Sequence, residues 1–213
     1  SRGTEAQPLT VSRRGTAHDG QLREGEFPSA SAIRGLFAEG KRDAAFSLLP
    51  KPMAAIFRRE EAAGRAPVFF QNCQRAILAR LRQMEEVDFF RLDEGREGLC
   101  NRLNAASRTA ASVEDVLSAA KTKRYALSRL RRMVLWAYLG LAPGDVPEAV
   151  PYLRVLAAND TGRAVLRRMQ KTAAVPVLTK PAGIRRLSAQ ARELFALEAR
   201  ATDLYTLAYP DLS

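Results

Sequence analysis

Hydrophobic residues recur at helical spacing through most of the chain from residue 29 onward. Ile33, Leu36 and Phe37 follow an i, i+3, i+4 pattern behind Ser29 and Ser31, which suit a helix N-cap. The same periodicity, interrupted by proline and glycine, predicts further helices over residues 43–49, 53–63, 67–83, 99–106, 113–120 and 128–139. This portion is therefore predicted to be an all-α bundle.

The pattern changes after a Pro/Gly-rich break at residues 142–151. Two short apolar runs, 152–156 and 175–178, flank a helical pattern over 161–171, which predicts a small β-α-β unit. An amphipathic helix is predicted over 188–207, and a short strand over 8–12 precedes the helical region. The predicted fold class is mainly α, with a small C-terminal β-α-β unit.

Charge narrows the range of partners. The 213 residues include 34 Lys and Arg against 23 Asp and Glu, which gives a net charge of +11. Such an excess favours a polyanionic partner, and nucleic acid is the leading candidate. The first 20 residues show no signal peptide, and the longest apolar run, 133–143, is too short to span a membrane, so we expect a cytoplasmic protein without a membrane partner.

Several kinds of active site are excluded by the residue types present. Cys73 and Cys100 form neither a CxxC pair nor a histidine-assisted ligand set, so no metal site is predicted. His18 is the single histidine of the sequence, and neither a P-loop nor a GxGxxG fingerprint occurs. His18 and Asp19 themselves fit either a ligand-binding turn or an ordinary loop.

A basic segment is the clearest candidate for a binding surface. Six residues between positions 121 and 132 are basic, and the apolar residues among them and just beyond are spaced to face a core. The candidate contacts to RNA are Lys121, Lys123, Arg124, Tyr125, Arg129 and Arg132, with Arg131 beside them and Tyr125 offered as a ring for a stacked base. The alternative is a solvated helix face.

A second candidate is an anion site at the predicted helix start near residue 29. Ser29 and Ser31 supply hydroxyls beside the free N–H groups of a first turn, and Arg34 lies one turn further on. Arginine can add a bidentate contact to a phosphate. The alternative is a capped helix whose arginine lies in water.

These segments together resemble one family, the bacterial tRNA(Met) cytidine acetate ligases of the HxGH nucleotidyltransferase superfamily. The string KTKRY at residues 121–125 is the most specific element. The other matching strings are RRGTAHD at 13–19, SASAIR at 29–34, EGLCNR at 97–102, SRL at 128–130, PYLRVL at 151–156, VPVLTK at 175–180 and ATDLY at 201–205.

The resemblance implies both an activity and a set of roles. The family activates acetate with ATP to an acetyl adenylate and acetylates the wobble cytidine of elongator tRNA(Met), so ATP with Mg²⁺, acetate and tRNA are the implied partners. By carry-over, Arg13 or Arg14 contacts ATP, Ser29, Ser31 and Arg34 flank its phosphates, and Lys121, Lys123 and Arg124 contact tRNA.

The resemblance also implies that the chain corresponds only to the C-terminal half of such an enzyme, because one histidine cannot supply HxGH. Residues 1–28 are then expected to be a remnant of the α/β nucleotide-binding domain. Residues 29–142 form the helical domain with the tRNA face, and 143–213 form the β-α-β unit and last helix. Two other functions stay open: a stand-alone RNA-binding module without catalysis, and a nucleotidyltransferase acting on a small molecule.

Overall fold

Helices account for most of the part of the chain that the structure describes. The structure is a computed structural model, and it describes residues 9–11, 28–92 and 98–212. The α-helices are α1 Ala30–Ala38, α2 Arg42–Ser47, α3 Lys51–Ala62, α4 Gln74–Gln83, α5 Glu86–Leu92, α6 Leu99–Thr109, α7 Val113–Ala120, α8 Leu127–Leu139, α9 Asp160–Thr172 and α10 Ala189–Thr206. Short 3₁₀ turns cover Phe70–Cys73, Pro143–Asp145 and Pro181–Arg186. The prediction of a mainly helical fold is confirmed.

The chain forms two compact units, Ser1–Phe69 and Phe70–Ser213, called here the N-terminal and C-terminal units. The core of the N-terminal unit is aromatic. Phe37 of α1 stacks on Phe57 of α3 with ring centroids 4.5 Å apart, and Phe46 of α2 meets both rings edge-on. Edge-to-face and offset rings stabilise beyond their buried area. The three rings therefore tie α1, α2 and α3 together.

The core of the C-terminal unit lies among α4 to α8. Each of these helices contributes fully buried side chains at three- and four-residue spacing, as the hydrophobic pattern requires. They include Ile77, Leu81, Phe89, Leu103, Val116, Leu130 and Val134. Ser112 caps α7, and it forms a capping box with Asp115.

The C-terminal β-α-β unit is present but its strands are short. β1, Leu153–Arg154, pairs in parallel with β2, Val177–Leu178, and α9 connects them. The predicted strands over 152–156 and 175–178 are thus too long, because β1 and β2 pair at two residues each. A sheet of two strands is marginal by itself, and here it rests on the packing around it. Tyr152, Leu178 and Ala191 form a small core under this sheet and α10.

Three further predictions of secondary structure need correction. The helix predicted over 67–83 is a 3₁₀ turn, Phe70–Cys73, followed by α4, and α5 was not predicted at all. Leu9, Thr10 and Val11 form no strand, since none of the strands in the described ranges pairs with their backbone, and Leu9 and Val11 are 91% and 85% exposed. The rest of residues 1–28 lies almost wholly outside the described residues, so the remnant of an α/β domain and the three-part domain division stay predictions.

Within the described residues, no helix combines the length and the apolar character that crossing a membrane demands.

Candidate functional site

The basic segment, residues 121–132, lies in the C-terminal unit and combines a loop with a helix start. Residues 121–126 connect α7 to α8, and α8 begins at Leu127. Lys121, Lys123 and Arg124 are exposed on the loop, and Arg131 and Arg132 are exposed on the first turns of α8. Leu130 and Val134 of the same helix are fully buried. The basic side chains of the loop and of α8 therefore face solvent, while the apolar side of α8 packs in the core.

The loop owes its shape to local hydrogen bonds and one buried ring. The amide of Arg124 donates to the hydroxyl of Thr122 at 3.2 Å, and the amide of Tyr125 donates to the Thr122 carbonyl at 3.4 Å. The Tyr125 ring is buried and the guanidinium of Arg129 lies 5.9 Å from its centroid. The turn at Thr122 and the buried ring of Tyr125 fix the backbone on either side of Lys123 and Arg124, whose side chains are exposed.

The predicted stacking of a base on Tyr125 is not available in this structure. Only 4% of the residue is exposed, so its ring belongs to the core and Arg129 covers it. Aromatic residues in cores bury large areas, and sequence periodicity alone did not separate this role from an exposed one. Tyr125 and the half-buried Arg129 shape the basic segment instead of extending its exposed surface.

The start of α8 adds to the positive potential. Ala126 occupies the N-cap position without a side-chain hydrogen bond, and the first turn contains no acidic residue. The N-terminus of a helix carries about half a positive charge and exposes backbone donors. This end lies directly after Lys123 and Arg124 in the chain, so backbone and side-chain donors are close together in sequence.

Not every arginine of the chain is available to a ligand. Arg80, Arg82, Arg102 and Arg108 donate to backbone carbonyls near the C-terminal ends of helices. By contrast, no ion pair or side-chain hydrogen bond within the described ranges engages the side chains of Lys121, Lys123, Arg131 or Arg132. Sequence reasoning did not find the helix-capping arginines. Arg80, Arg82 and Arg108 lie in last turns, which is only a weak signal, and Arg102 lies in the first turn of α6, where the sequence gives no signal for this role. Lys121, Lys123, Arg131 and Arg132 therefore form a group of positive charges that is available to a ligand.

The second candidate site is at α1, in the N-terminal unit. Ser29 is buried and caps the helix, with its hydroxyl accepting from the amide of Ala32 at 3.1 Å. The guanidinium of Arg34 is exposed and donates to the hydroxyl of Ser31 at 3.4 Å. The cap is thus confirmed, and Arg34 and Ser31 share one face of the first turns. Arg13, Arg14 and His18 lie outside the described residues.

A third basic cluster lies on α9. Arg163 pairs with Asp160 on the same helix, and together with Arg167 and Leu166 it lines an open groove of about 430 Å³. None of the thirteen residues of α9 is buried. The helix therefore contributes an exposed, partly apolar basic surface.

Among the described residues no group of three or more His, Cys, Asp or Glu could hold a metal ion. Cys73 and Cys100 are both buried, and they do not form a disulfide. Burial raises the pKa of the Cys73 thiol, which opposes formation of the reactive thiolate.

Comparison with known proteins gives matches along the chain. A sequence model of the HIGH Nucleotidyl Transferase family matches residues 1–213. The tRNA(Met) cytidine acetate ligase of Kosmotoga olearia is 30% identical over 98% of this chain and 53% of its own length. The protein of the same name from Thermotoga maritima is 30% identical over 99% of this chain and 53% of its own length.

Solved structures of Thermotoga maritima TmcAL are similar as well. The apo form superposes with a TM-score of 0.88 at 28% identity, over 95% of this chain and 51% of that one. The form bound with alpha-thio ATP gives a TM-score of 0.82 at 29% identity, over 87% and 48%. The chain thus spans about half the length of the relatives it matches. The prediction that it corresponds only to the family's C-terminal half is not borne out, since the family model covers the whole chain.

Proposed function

Because the chain belongs to the HIGH nucleotidyl transferase family, we propose that it is part of an enzyme that acetylates the wobble cytidine of elongator tRNA(Met) with ATP and acetate. Two sets of relatives support this proposal: curated proteins named tRNA(Met) cytidine acetate ligase, and a TmcAL structure bound with alpha-thio ATP. The observation that carries the RNA part is the exposed basic segment, with the cation side chains of Lys121, Lys123, Arg131 and Arg132 free among the described residues.

The reaction has two steps with different electrostatic demands. An oxygen of acetate attacks the α-phosphorus of ATP, pyrophosphate leaves, and acetyl adenylate forms. The exocyclic amine of cytidine then attacks the acetyl carbonyl carbon, loses a proton, and AMP leaves. Negative charge on the phosphate oxygens of the first step is stabilised by preorganised donors. Mg²⁺ accompanies ATP as part of the substrate.

Within this reaction, the start of α1 would face the phosphates. Arg34 and the hydroxyl of Ser31 present donors side by side, and the amides of the first turn add the positive end of a helix. Ser29 serves chiefly by capping that helix, because its hydroxyl already accepts from Ala32. Arg13 and Arg14 are assigned to ATP on the resemblance alone.

The basic segment would hold the tRNA through its phosphates. Lysine and arginine side chains that neutralise phosphates release counterions, so affinity falls steeply with salt. Leu130 and Val134 are fully buried and fix α8 in the core. The exposed charges of α8 are therefore presented to phosphates from a rigid helix. Base recognition through Tyr125 is not part of the proposal.

The test is binding of an in vitro transcribed elongator tRNA(Met) to the full 213-residue chain across a KCl series. Four phosphate contacts predict a slope of about −3 to −4 in log K against log salt. A transcript of the same length with a different anticodon loop separates specific from general RNA binding. A slope near zero would overturn the RNA assignment.

One observation favours a second function, an RNA-binding module without catalysis. The sequence contains a single histidine, so these 213 residues cannot supply both histidines of an HxGH motif. Salt-dependent tRNA binding together with no acetate-dependent exchange of pyrophosphate into ATP supports that module for the isolated chain. Restoration of exchange by an HxGH-bearing polypeptide would then assign the chain to the ligase.

A further inference from the structure

Arg102 closes the end of the helix from which the basic segment leaves. It lies on α6, and its guanidinium reaches across to α7. Nε donates to the carbonyl of Ala120 at 3.3 Å and Nη2 donates to the carbonyl of Ala119 at 3.1 Å. Carbonyls in the last turn of a helix have no partner within the helix. Arg102 thus satisfies two of them immediately before Lys121.

The basic loop is therefore held at both ends. At its start, the amide of Lys121 donates to the carbonyl of Leu117, and Arg102 fixes the two carbonyls that precede it. At its end, the buried ring of Tyr125 anchors the chain just before α8. Lys121, Lys123 and Arg124 project from the stretch between these anchors. Fixing both ends reduces the conformational freedom that the loop would lose on binding.

We propose that Arg102 is a positioning residue for RNA, which sets the direction of the loop 121–125 and does not itself touch phosphate. This role rests on the proposed function of the basic segment. Two nitrogens of the Arg102 guanidinium, Nε and Nη2, donate to backbone carbonyls, so the planar group holds the backbone at the end of α7. Lysine can reproduce the role only in part, since its ammonium lacks the rigid geometry by which two guanidinium nitrogens reach two carbonyls.

The chain supplies a matched control in Arg82. Its Nε donates to the carbonyl of Ser107 at 3.1 Å and its Nη2 to that of Ala110 at 2.7 Å, at the end of α6. The same two nitrogens thus close a helix end in the same way. After α6 the chain enters the capping box of Ser112 and Asp115, with no basic residue between Ala110 and Ala120. Arg82 has the structural role without the adjacent binding loop.

The experiment compares Arg102→Ala, Arg102→Lys and Arg82→Ala in the full chain. Amide hydrogen exchange is measured at Lys121 and Tyr125, and the Kd for the elongator tRNA(Met) transcript is measured over a KCl series. For Arg102→Ala we expect faster exchange at both amides and a Kd raised by about five- to tenfold, the effect of ordering one or two side chains on binding. The salt slope stays unchanged, and Arg102→Lys falls between the alanine variant and the wild type.

Arg82→Ala is expected to speed exchange at residues 107–112 and to leave the Kd within about twofold, because its helix end lies before the capping box of α7. An equal loss of affinity in Arg82→Ala would reduce the role of Arg102 to general stability. A slope smaller by about one, with exchange unchanged, would make Arg102 a direct phosphate contact.

Two negative results are distinct. Wild-type protein without salt-dependent binding overturns the proposed RNA function and this role with it. Normal wild-type binding with an unaltered Kd in Arg102→Ala overturns the positioning role alone. Arg102→Lys keeps the positive charge and one donor nitrogen, so it also reports on the loop if the alanine variant is poorly folded.

Discussion

Arg82 and Arg108 fasten α4 and α6 to each other from both sides. Arg108 donates through Nη1 to the carbonyl of Arg82 at 2.5 Å, while Arg82 donates through Nε to the carbonyl of Ser107, the residue before Arg108. Arg108 also donates through Nη2 to the carbonyl of Met84 at 2.5 Å. Each guanidinium thus closes the end of the other helix, and charge-assisted bonds of this kind are stronger than neutral ones.

Removing Arg108 should destabilise the C-terminal unit. Arg108→Ala leaves the carbonyls of Arg82 and Met84 without these donors, and we expect the free energy of unfolding to fall by about 1–3 kcal/mol. Urea denaturation measures the change. Arg91→Ala serves as control. The exposed side chain of Arg91 makes a weak ion pair with Asp88, with 4.0 Å between nitrogen and oxygen, and its loss should change stability by less than about 0.5 kcal/mol. Equal effects in both variants would contradict the stabilising role of the hydrogen bonds from Arg108.

Neutralising the basic loop should weaken RNA binding. Lys123→Ala combined with Arg124→Ala is expected to lower tRNA affinity and to flatten the log–log salt dependence by about one to two units. Arg59→Ala combined with Arg65→Ala removes the same charge at two arginines paired with Glu60 and should leave the slope unchanged. If both double variants bind alike, the basic loop is only a solvated surface.

Arg34 should affect nucleotide chemistry and leave stability almost unchanged. In an enzyme reconstituted with an HxGH-bearing polypeptide, Arg34→Ala is expected to cost about 2–4 kcal/mol in transition-state stabilisation, with Arg34→Lys restoring part of it. The exposed guanidinium contributes little to folding. Ser29→Ala should show the reverse, with about 1 kcal/mol of stability lost from the helix cap. Unchanged adenylation kinetics with a lower Tm in Arg34→Ala would make Arg34 structural.

The isolated chain should not form acetyl adenylate. The HxGH motif of the resembled superfamily has two histidines, which as donors would stabilise the charge that develops in the transition state, and the sequence contains His18 alone. Exchange of labelled pyrophosphate into ATP, with and without acetate, is expected to stay at background for the purified chain. Acetate-dependent exchange well above background would contradict the view that its active site is incomplete.

Stability should decline at alkaline pH. Burial raises the pKa of Cys73 and of Tyr138, and it also raises the pKa of Tyr152, to which the charge of Glu198 adds. The hydroxyl of Tyr152 has no hydrogen-bond partner among the described residues, so we ascribe the contribution of Glu198 to its charge.

For these three groups the folded state holds the proton more tightly than the unfolded state. Their contribution is therefore complete below their ordinary pKa values of about 8.5 to 10 and is lost as the pH rises through and above them. Urea denaturation at a series of pH values above 8 measures the decline. Tyr138→Phe should make the decline shallower, and an identical slope in this variant would exclude Tyr138 as a contributor.

Helices and their caps could be predicted from the local sequence more accurately than the burial of individual side chains. Ser29 and Ser112 were predictable as caps, because hydroxyls before an apolar period satisfy the first free amides. The seven-residue helix α5 was not, since its stability comes from burying Phe89 and Leu92 against other helices. Tyr125 was assigned to solvent for the same reason: its neighbours in sequence are charged, and only tertiary packing puts its ring inside.

The pairing of Leu153 with Val177 has a consequence for the order in which the chain folds. These residues are 24 positions apart, so their two-residue ladder forms only after a long loop has closed. α6 and α7 are joined by residues 110–112 and meet through contacts that are local in sequence. Local contacts form early in folding and distant strand pairs form late. We therefore expect the helical hairpin of α6 and α7 to form before the two strands of the β-α-β unit pair.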